Sequence, residues 1–156
     1  MKRSTLFKLL NFWPPYLGAG IRLKNISDDC RTIDVEMKLR FWNKNYVRTQ
    51  FGGSLYSMTD PFYMLMLMEN LGRDYIVWDK AATIRFKKPG MGRVRAHFEL
   101  SAEQIATIKE QADQNPKAEP TLMVEVKDDS GTVIAEVEKL LYVRRKDRAP
   151  KAAAKS

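Results

Sequence analysis

Scarce histidine and cysteine limit the chemistry open to this chain of 156 residues. The single cysteine, Cys30, excludes an internal disulfide bond and a zinc site built from several thiolates. The single histidine, His97, excludes an HExxH motif and a multi-histidine metal site. We therefore expect no bound metal. Carboxylates, amides and backbone groups are the remaining candidates for a functional site.

Long hydrophobic runs are also missing. No apolar stretch approaches the ~18 residues of a membrane span, and Lys8 interrupts the short apolar run that follows Lys2 and Arg3. We expect a cytoplasmic protein without stable membrane insertion. Residues 4–11 predict a short amphipathic helix that packs on the body, and lying on a membrane surface is the alternative.

Positive charge is confined to the two ends of the chain. The formal net charge is +8, residues 1–13 and 144–156 carry all of it, and residues 14–143 sum to zero. A neutral body with basic ends is not a typical nucleic-acid-binding surface, so we expect no nucleic-acid partner. The chain is divided into an N-terminal amphipathic helix (1–16), one folded domain (17–145) and a basic flexible tail (146–156).

Alternating apolar and polar residues predict most of the strands. The alternation over Thr32–Trp42 indicates a half-buried antiparallel strand, and residues 21–26 are its predicted hairpin partner. Ser101 is the predicted N-cap of a short polar helix over residues 102–112. The remaining predicted strands are residues 82–87, 94–100, 122–126 and 132–143.

A single helix lies between the second and third predicted strands. It is predicted over Leu55–Leu71, ends at Gly72, and is apolar on every side at its centre, so we expect it to be buried all round. The dipeptide Asp60-Pro61 leaves two readings open. Either Asp60 caps a helix that begins at Pro61, or Pro61 kinks a longer helix and leaves Asp60 at an irregular point. The element order predicts an α+β fold with an antiparallel sheet around this helix.

The segment that opens this helix resembles the hotdog-fold acyl-CoA thioesterases of the phenylacetate-degradation type. Their pattern is an Asn, a His-Gly-Gly that begins six residues later, and an Asp eight residues after the first Gly. Asn45, Gly52-Gly53 and Asp60 stand at those spacings, and residues 82–92 resemble the family's strand and Pro/Gly turn. The resemblance implies the hotdog fold, in which an antiparallel sheet wraps around one long central apolar helix.

One residue departs from that pattern. Phe51 stands where those enzymes have histidine, which is similar to the branch of hotdog proteins classed as a domain of unknown function and usually named as candidate thioesterases. An apolar residue at this point also suits a pocket that binds an acyl group without reacting with it.

The resemblance implies a site between two subunits that pair edge to edge. Asp60 would attack the thioester or activate water, Gly53 would offer its N–H to the acyl oxygen, and Asn45 would hold substrate or water. Each residue also has a purely structural alternative. Asp60 could be a helix cap, Gly53 part of a Gly-Gly turn, and Asn45 an ordinary turn residue. The expected substrate contacts are Phe51, Gly52, Ser54, Met58, Asp79, Lys80, Arg85, Lys87 and Lys88.

Two functions follow as hypotheses from the residues and the resemblance. The first is a thioesterase for acyl-CoA or an acyl carrier protein, formed as a homodimer or a dimer of dimers. It needs no cofactor, because coenzyme A enters as part of the substrate. The second is a non-catalytic module that binds acyl groups or acyl-CoA.

Overall fold

The computed structural model describes residues 7–148. Two strands precede the central helices and four follow them, which confirms the α+β class and the predicted order. The strands are Ile21–Ile26 (β1), Thr32–Met37 (β2), Tyr75–Phe86 (β3), Val94–Glu99 (β4), Thr121–Asp128 (β5) and Val133–Arg145 (β6). A 3₁₀ helix covers Leu9–Phe12, and the α-helices are Pro14–Ala19 (α1), Gly52–Ser57 (α2), Phe62–Leu71 (α3) and Ala102–Gln114 (α4).

All six strands belong to one sheet in the order β1-β2-β4-β5-β6-β3, with every neighbouring pair antiparallel. The edges are therefore β1 and β3. Strand β3 pairs with β6 along one side, and its other side faces no strand among residues 7–148. This leaves a twelve-residue edge whose backbone groups are available to another chain.

Helix α3 packs its apolar residues onto the inner face of the sheet. The rings of Phe62 and Tyr63 both lie 5.1 Å from the ring of Phe98 on β4. Each such fully buried side chain contributes about 1.5–3 kcal/mol. The expectation that the helix is buried all round is wrong, because the sheet covers one face only and Met68, on the other face, is 46% exposed.

The second strand is shorter than its alternation predicts. It ends at Met37 rather than Trp42, and Phe41 is exposed instead of buried. Buried Asn43 is the cause: its side chain accepts a hydrogen bond from the Arg40 N–H (2.7 Å) and donates to the carbonyls of Lys38 (2.8 Å) and Ala19 (2.9 Å). These bonds turn the chain away from the sheet.

The predicted central helix is divided into α2 and α3. Proline has no N–H, so Pro61 cannot continue the hydrogen bonding of α2, and residues 58–61 form a turn between the two helices. The Ser57 carbonyl accepts hydrogen bonds from the Tyr16 hydroxyl (3.3 Å) and the Asp60 N–H (3.3 Å) instead. Of the two interpretations of Asp60-Pro61, the structure supports the second: Asp60 does not cap a helix and lies at an irregular point between α2 and α3.

The remaining predicted elements are present, some with longer bounds. Ser101 caps α4, as predicted. The structure adds a capping box with Gln104 and extends the helix to Gln114. Strand β3 begins at Tyr75, seven residues before its predicted start. The predicted helix over residues 4–11 falls partly outside the described residues, as does most of the predicted tail. The three-segment division of the chain stays a prediction.

Candidate active site

Asp60 lies in the turn between α2 and α3, and its side chain is half exposed. It does not cap α3, because its carboxylate Oδ1 accepts hydrogen bonds from the Tyr56 hydroxyl (3.0 Å) and from Lys139 Nζ (3.2 Å). No hydrogen bond from residues 7–148 reaches Oδ2. One carboxylate oxygen is thus held in place while the other is available to a substrate or water.

Lys139 is the group that holds Asp60, and it is fully buried on β6. Its ammonium donates to the Asp60 carbonyl (2.8 Å) and carboxylate, lies 3.3 Å from Asp79 Oδ1, and sits 5.3 Å from the centre of the Tyr56 ring. A buried cation is costly unless it is paired. Two carboxylates and a carbonyl meet that requirement here.

Strand β3 contributes Asp79 through an irregularity in its pairing. Asp79 pairs with Leu141 and Ala81 pairs with Leu140, so Lys80 is an extra residue in β3. Such a bulge changes the direction of the neighbouring side chains. Asp79 lies beside Lys139, whereas Lys80 makes an ion pair with Glu119 and takes no part in the cluster.

Burial and charge set the protonation of this cluster. Burial raises the pKa of the Tyr56 phenol, which therefore stays protonated and donates to Asp60. Burial also raises the pKa of Asp79, and the attraction of Lys139 opposes this rise. Burial alone would lower the pKa of Lys139, but the Asp79 and Asp60 carboxylates hold it above its usual value. The ammonium is charged across the physiological range.

The Gly-Gly pair begins α2 immediately after Phe51. A side chain at either glycine would crowd a neighbouring aromatic ring. A methyl group added at Gly52 would lie 3.0 Å from Phe86 Cζ, and one at Gly53 would lie 2.7 Å from Phe51 Cε1. The first N–H groups of a helix have no partner within the helix. The Phe51 ring, 55% exposed, lies against Gly53.

A cleft of about 340 Å³ brings several of the predicted substrate contacts together. Asn45, Gly52, Lys87 and Lys88 all line it. Asn45 uses its amide within its own loop, where it accepts from the Thr49 N–H (2.9 Å) and donates to the Thr49 hydroxyl (2.9 Å). Asp60 does not line this cleft.

The other predicted contacts are dispersed. Ser54 and Phe51 line a second cleft of about 350 Å³ beside α1, and Met58 is fully buried in the core. Arg85 is exposed on β3 and lies opposite Glu136 of β6. One chain thus places Asp60 with Asp79, and Asn45 with the lysines, but does not join the two groups.

A groove of about 910 Å³ lies elsewhere, across β2, β4 and β5. His97 lines it and pairs with Asp34 at 2.6 Å, but both side chains are well exposed. Residues 7–148 contain no group of His, Cys, Asp or Glu side chains that could hold a metal ion, and no helix long and apolar enough to cross a membrane. The buried ammonium of Lys139 and its ion pairs with Asp60 and Asp79 favour the Asp60 cluster as the candidate active site.

Lys139 and Tyr56 belong to this cluster but were not predicted from the sequence. Lys139 occupies an inward position of β6, between buried Val137 and Leu141. A lysine at an apolar position of an alternating strand is the signal that could have revealed it. Tyr56 stands four residues before Asp60, which is one helical turn.

Comparison with known proteins defines the class of fold first. A Pseudomonas aeruginosa protein of unknown function, described as a probable thioesterase, shares 23% identity with a TM-score of 0.79, over 91% of this chain and 95% of that one. A Haemophilus influenzae thioesterase shares 11% identity with a TM-score of 0.67, over 93% and 92%. A Chlorobaculum tepidum protein of unknown function shares 16% identity with a TM-score of 0.73, over 92% and 94%. At these identities the likeness concerns the fold, and the predicted hotdog fold is confirmed.

The family follows from the sequence profile. The family described as Domain of unknown function (DUF4442) matches residues 3–143, so the chain belongs to it. This confirms the branch predicted from Phe51, whereas the likeness to the phenylacetate-degradation type stays a prediction. No curated protein matches the chain.

Proposed function

We propose that this protein hydrolyses acyl thioesters of coenzyme A or an acyl carrier protein. The observation that carries the proposal is the Asp60 carboxylate, which is half exposed at a break in the central helix and fixed by a buried lysine. The hotdog fold, shared with solved proteins described as thioesterases, supports the same reaction.

The proposed reaction uses protein groups and water, with no cofactor. Asp60 takes a proton from a water molecule, whose oxygen attacks the carbonyl carbon of the thioester. The Gly53 N–H donates a hydrogen bond to the resulting oxyanion. The oxyanion then re-forms the carbonyl as the carbon–sulfur bond breaks, and the departing thiolate takes up the proton that Asp60 received from water, which leaves a carboxylic acid, a free thiol and the Asp60 carboxylate. Lys139 and Tyr56 act as positioning residues, since they bind Asp60 rather than the substrate.

Coenzyme A phosphates fit the basic side of the 340 Å³ cleft. Lys87 and Lys88 line it, and both are exposed. Lys87 lies 3.4 Å from Glu136, while Lys88 makes no ion pair with residues 7–148. Lysine binds phosphate as a point charge, so these two side chains are the proposed contacts.

A dimer would unite the two groups of site residues. The free edge of β3 carries Asp79 of the Asp60 cluster, and Phe86 at its end lines the cleft. Trp78 and Phe86 on this strand are 66% and 57% exposed. Pairing of two β3 edges would cover these rings and satisfy the unpaired backbone groups.

We therefore expect the protein to have a mass about twice 18.0 kDa by light scattering. Changing both Trp78 and Phe86 to lysine should produce monomers, because charged side chains block edge pairing. Met123→Lys, at an exposed position on the internal strand β5, is the matched control and should stay dimeric. A monomeric wild type at micromolar concentration would contradict the subunit interface.

A non-catalytic acyl-binding module is the second candidate, and the position of Phe51 favours it. The ring lies against Gly53 and is apolar, which suits an acyl chain better than a reacting carbonyl. Titration with a non-hydrolysable acyl-CoA analogue, together with thiol release from acyl-CoA, separates the candidates. Analogue binding without thiol release would favour the module, and thiol release favours the esterase.

A further inference from the structure

Exposed aromatic side chains are concentrated on two neighbouring segments, residues 8–17 and 38–48. We call the surface they form the aromatic-basic surface. Its exposed apolar side chains are Leu9, Phe12, Trp13, Leu17, Phe41, Trp42, Tyr46 and Val47. Solvated surfaces rarely carry so many large apolar side chains together unless they meet a partner.

The charged residues of this surface are all basic. Residues 8–17 and 38–48 contain five basic residues and no acidic residue, although the body of the chain is neutral. The basic residues lie close to the aromatic ones in the sequence and are Lys8, Lys38, Arg40, Lys44 and Arg48. Aromatic rings beside lysine and arginine are typical of surfaces that lie at the boundary between water and lipid headgroups.

The two segments are joined by defined contacts. Buried Asn43 donates to the Ala19 carbonyl at the end of α1, so the loop over residues 38–48 is fixed beside that helix. Trp42 lines the cleft between them together with Pro14. Its ring packs on Phe41 at 5.1 Å and lies 5.2 Å from the Arg40 guanidinium. The two segments are therefore held side by side.

The tip of the loop extends furthest into solvent. Tyr46 is 103% exposed and Val47 is 70% exposed, so their side chains pack on little of the fold. The Asn45 side chain fixes the turn through Thr49, and Arg48 adopts the left-handed backbone conformation (φ 68°), which costs a non-glycine residue about 1–2 kcal/mol. Rings that protrude from a fixed loop suit a deformable apolar phase better than the rigid surface of a protein.

We propose that the aromatic-basic surface binds the headgroup region of an anionic phospholipid bilayer. The apolar tips would enter the boundary between headgroups and acyl chains, and the lysines and arginines would contact the anionic headgroups. The surface reaches the second cleft, where Phe51 and Ser54 lie, so a bound membrane would face the beginning of α2. This inference is independent of the proposed hydrolysis.

Flotation of the full-length protein with vesicles tests the proposal. We expect it to float with vesicles of phosphatidylcholine and phosphatidylglycerol, and to float much less with phosphatidylcholine alone or at high salt, because the attraction is partly electrostatic. Equal flotation with both vesicles, or none with either, would overturn the proposal.

Two triple variants separate this surface from the basic ends of the chain. Replacing Lys38, Arg40 and Lys44 by glutamine should lower partitioning about a hundredfold, and replacing Phe41, Trp42 and Tyr46 by serine should lower it at least about tenfold. The matched controls should float like the wild type; they carry glutamine at Lys109, Lys117 and Lys127, or serine at Met91 and Met123.

Three results would contradict the assignment. If both triple variants float like the wild type, the chain ends bind the lipid instead. If the serine variant loses oligomeric mass in light scattering but still floats, the surface meets a second copy of this chain. If the wild type does not float but binds an acidic acyl carrier protein through these residues, the partner is a protein.

Discussion

Lys139→Met is expected to lower the free energy of unfolding by about 3 kcal/mol, the lower end of the range for removing one partner of a buried ion pair. The lower end applies because Asp60 is half exposed and Asp79 is a quarter exposed, so water screens both carboxylates in part. Urea denaturation at neutral pH measures this loss. The proposed thioesterase activity should also be largely lost in this variant, because Asp60 loses the ammonium that fixes it.

The pH dependence of this loss follows from Asp79. Burial already raises the pKa of Asp79 above its ordinary value of 3.8, and removal of the Lys139 charge would raise it further. A group whose pKa is raised by folding binds its proton more tightly in the folded state, so protonation stabilises that state. The destabilisation of Lys139→Met should therefore become smaller as the pH falls from neutrality toward 3.8.

Lys127→Met is the matched control, because Lys127 is an exposed lysine that pairs with Glu125 on the same strand. It should change stability by about 0.5 kcal/mol or less. Adding Asp79→Asn to Lys139→Met removes the unpaired carboxylate and should restore part of the loss. If Lys139→Met were as stable as the control, the buried ion pair would not hold the site together.

Asp60→Asn is expected to lower kcat by about 10²–10⁴-fold, the usual contribution of a positioned general base. Asparagine keeps the size of the side chain and an oxygen that can accept from Tyr56 and Lys139, but it cannot take a proton from water. Stability should fall by about 1 kcal/mol or less, since Asp60 is half exposed. Steady-state thiol release and thermal melting, measured together, check both expectations.

Asp28→Asn is the control for this variant, because Asp28 is exposed in the turn between β1 and β2. It should keep the wild-type rate and melting temperature. A fall in the activity of Asp60→Asn that matches a loss of folded protein would indicate a structural role, whereas a fall in kcat with an unchanged melting temperature indicates a chemical one.

The periodicity of apolar residues predicted the fold correctly where apolar residues are buried and polar residues are exposed. The alternation predicted the start of β2 at Thr32, and Ser101 is the observed cap of α4. The pattern failed at Phe41, since it continues beyond the point where the Asn43 side chain turns the backbone. A contact between a side chain and a distant carbonyl has no periodic signal, so it cannot be read from spacing.

The candidate site was predicted only in part for a related reason. Asp60 and Asp79 were named, but Lys139 was not, although it lies between them. Its place in the sequence is 60 residues or more from either carboxylate. The pairing of β3 with β6 brings Asp79 beside Lys139, and the turn between α2 and α3 places Asp60 against the same ammonium. The helix break at Pro61 was foreseen as one of two readings, and tertiary contacts such as Tyr16 with Ser57 accompany it.

Release of free thiol from acyl-CoA of short, medium and long chain lengths tests the central claim most directly. The wild type and Asp60→Asn should be purified identically and compared at equal concentration. We predict turnover by the wild type on at least one chain length, at a modest rate because Phe51 cannot supply the polar contact of a histidine, and a loss of about 10²-fold or more in Asp60→Asn. A wild type that releases no thiol at any length, or an Asp60→Asn protein that is as fast as the wild type, would contradict the proposed thioesterase.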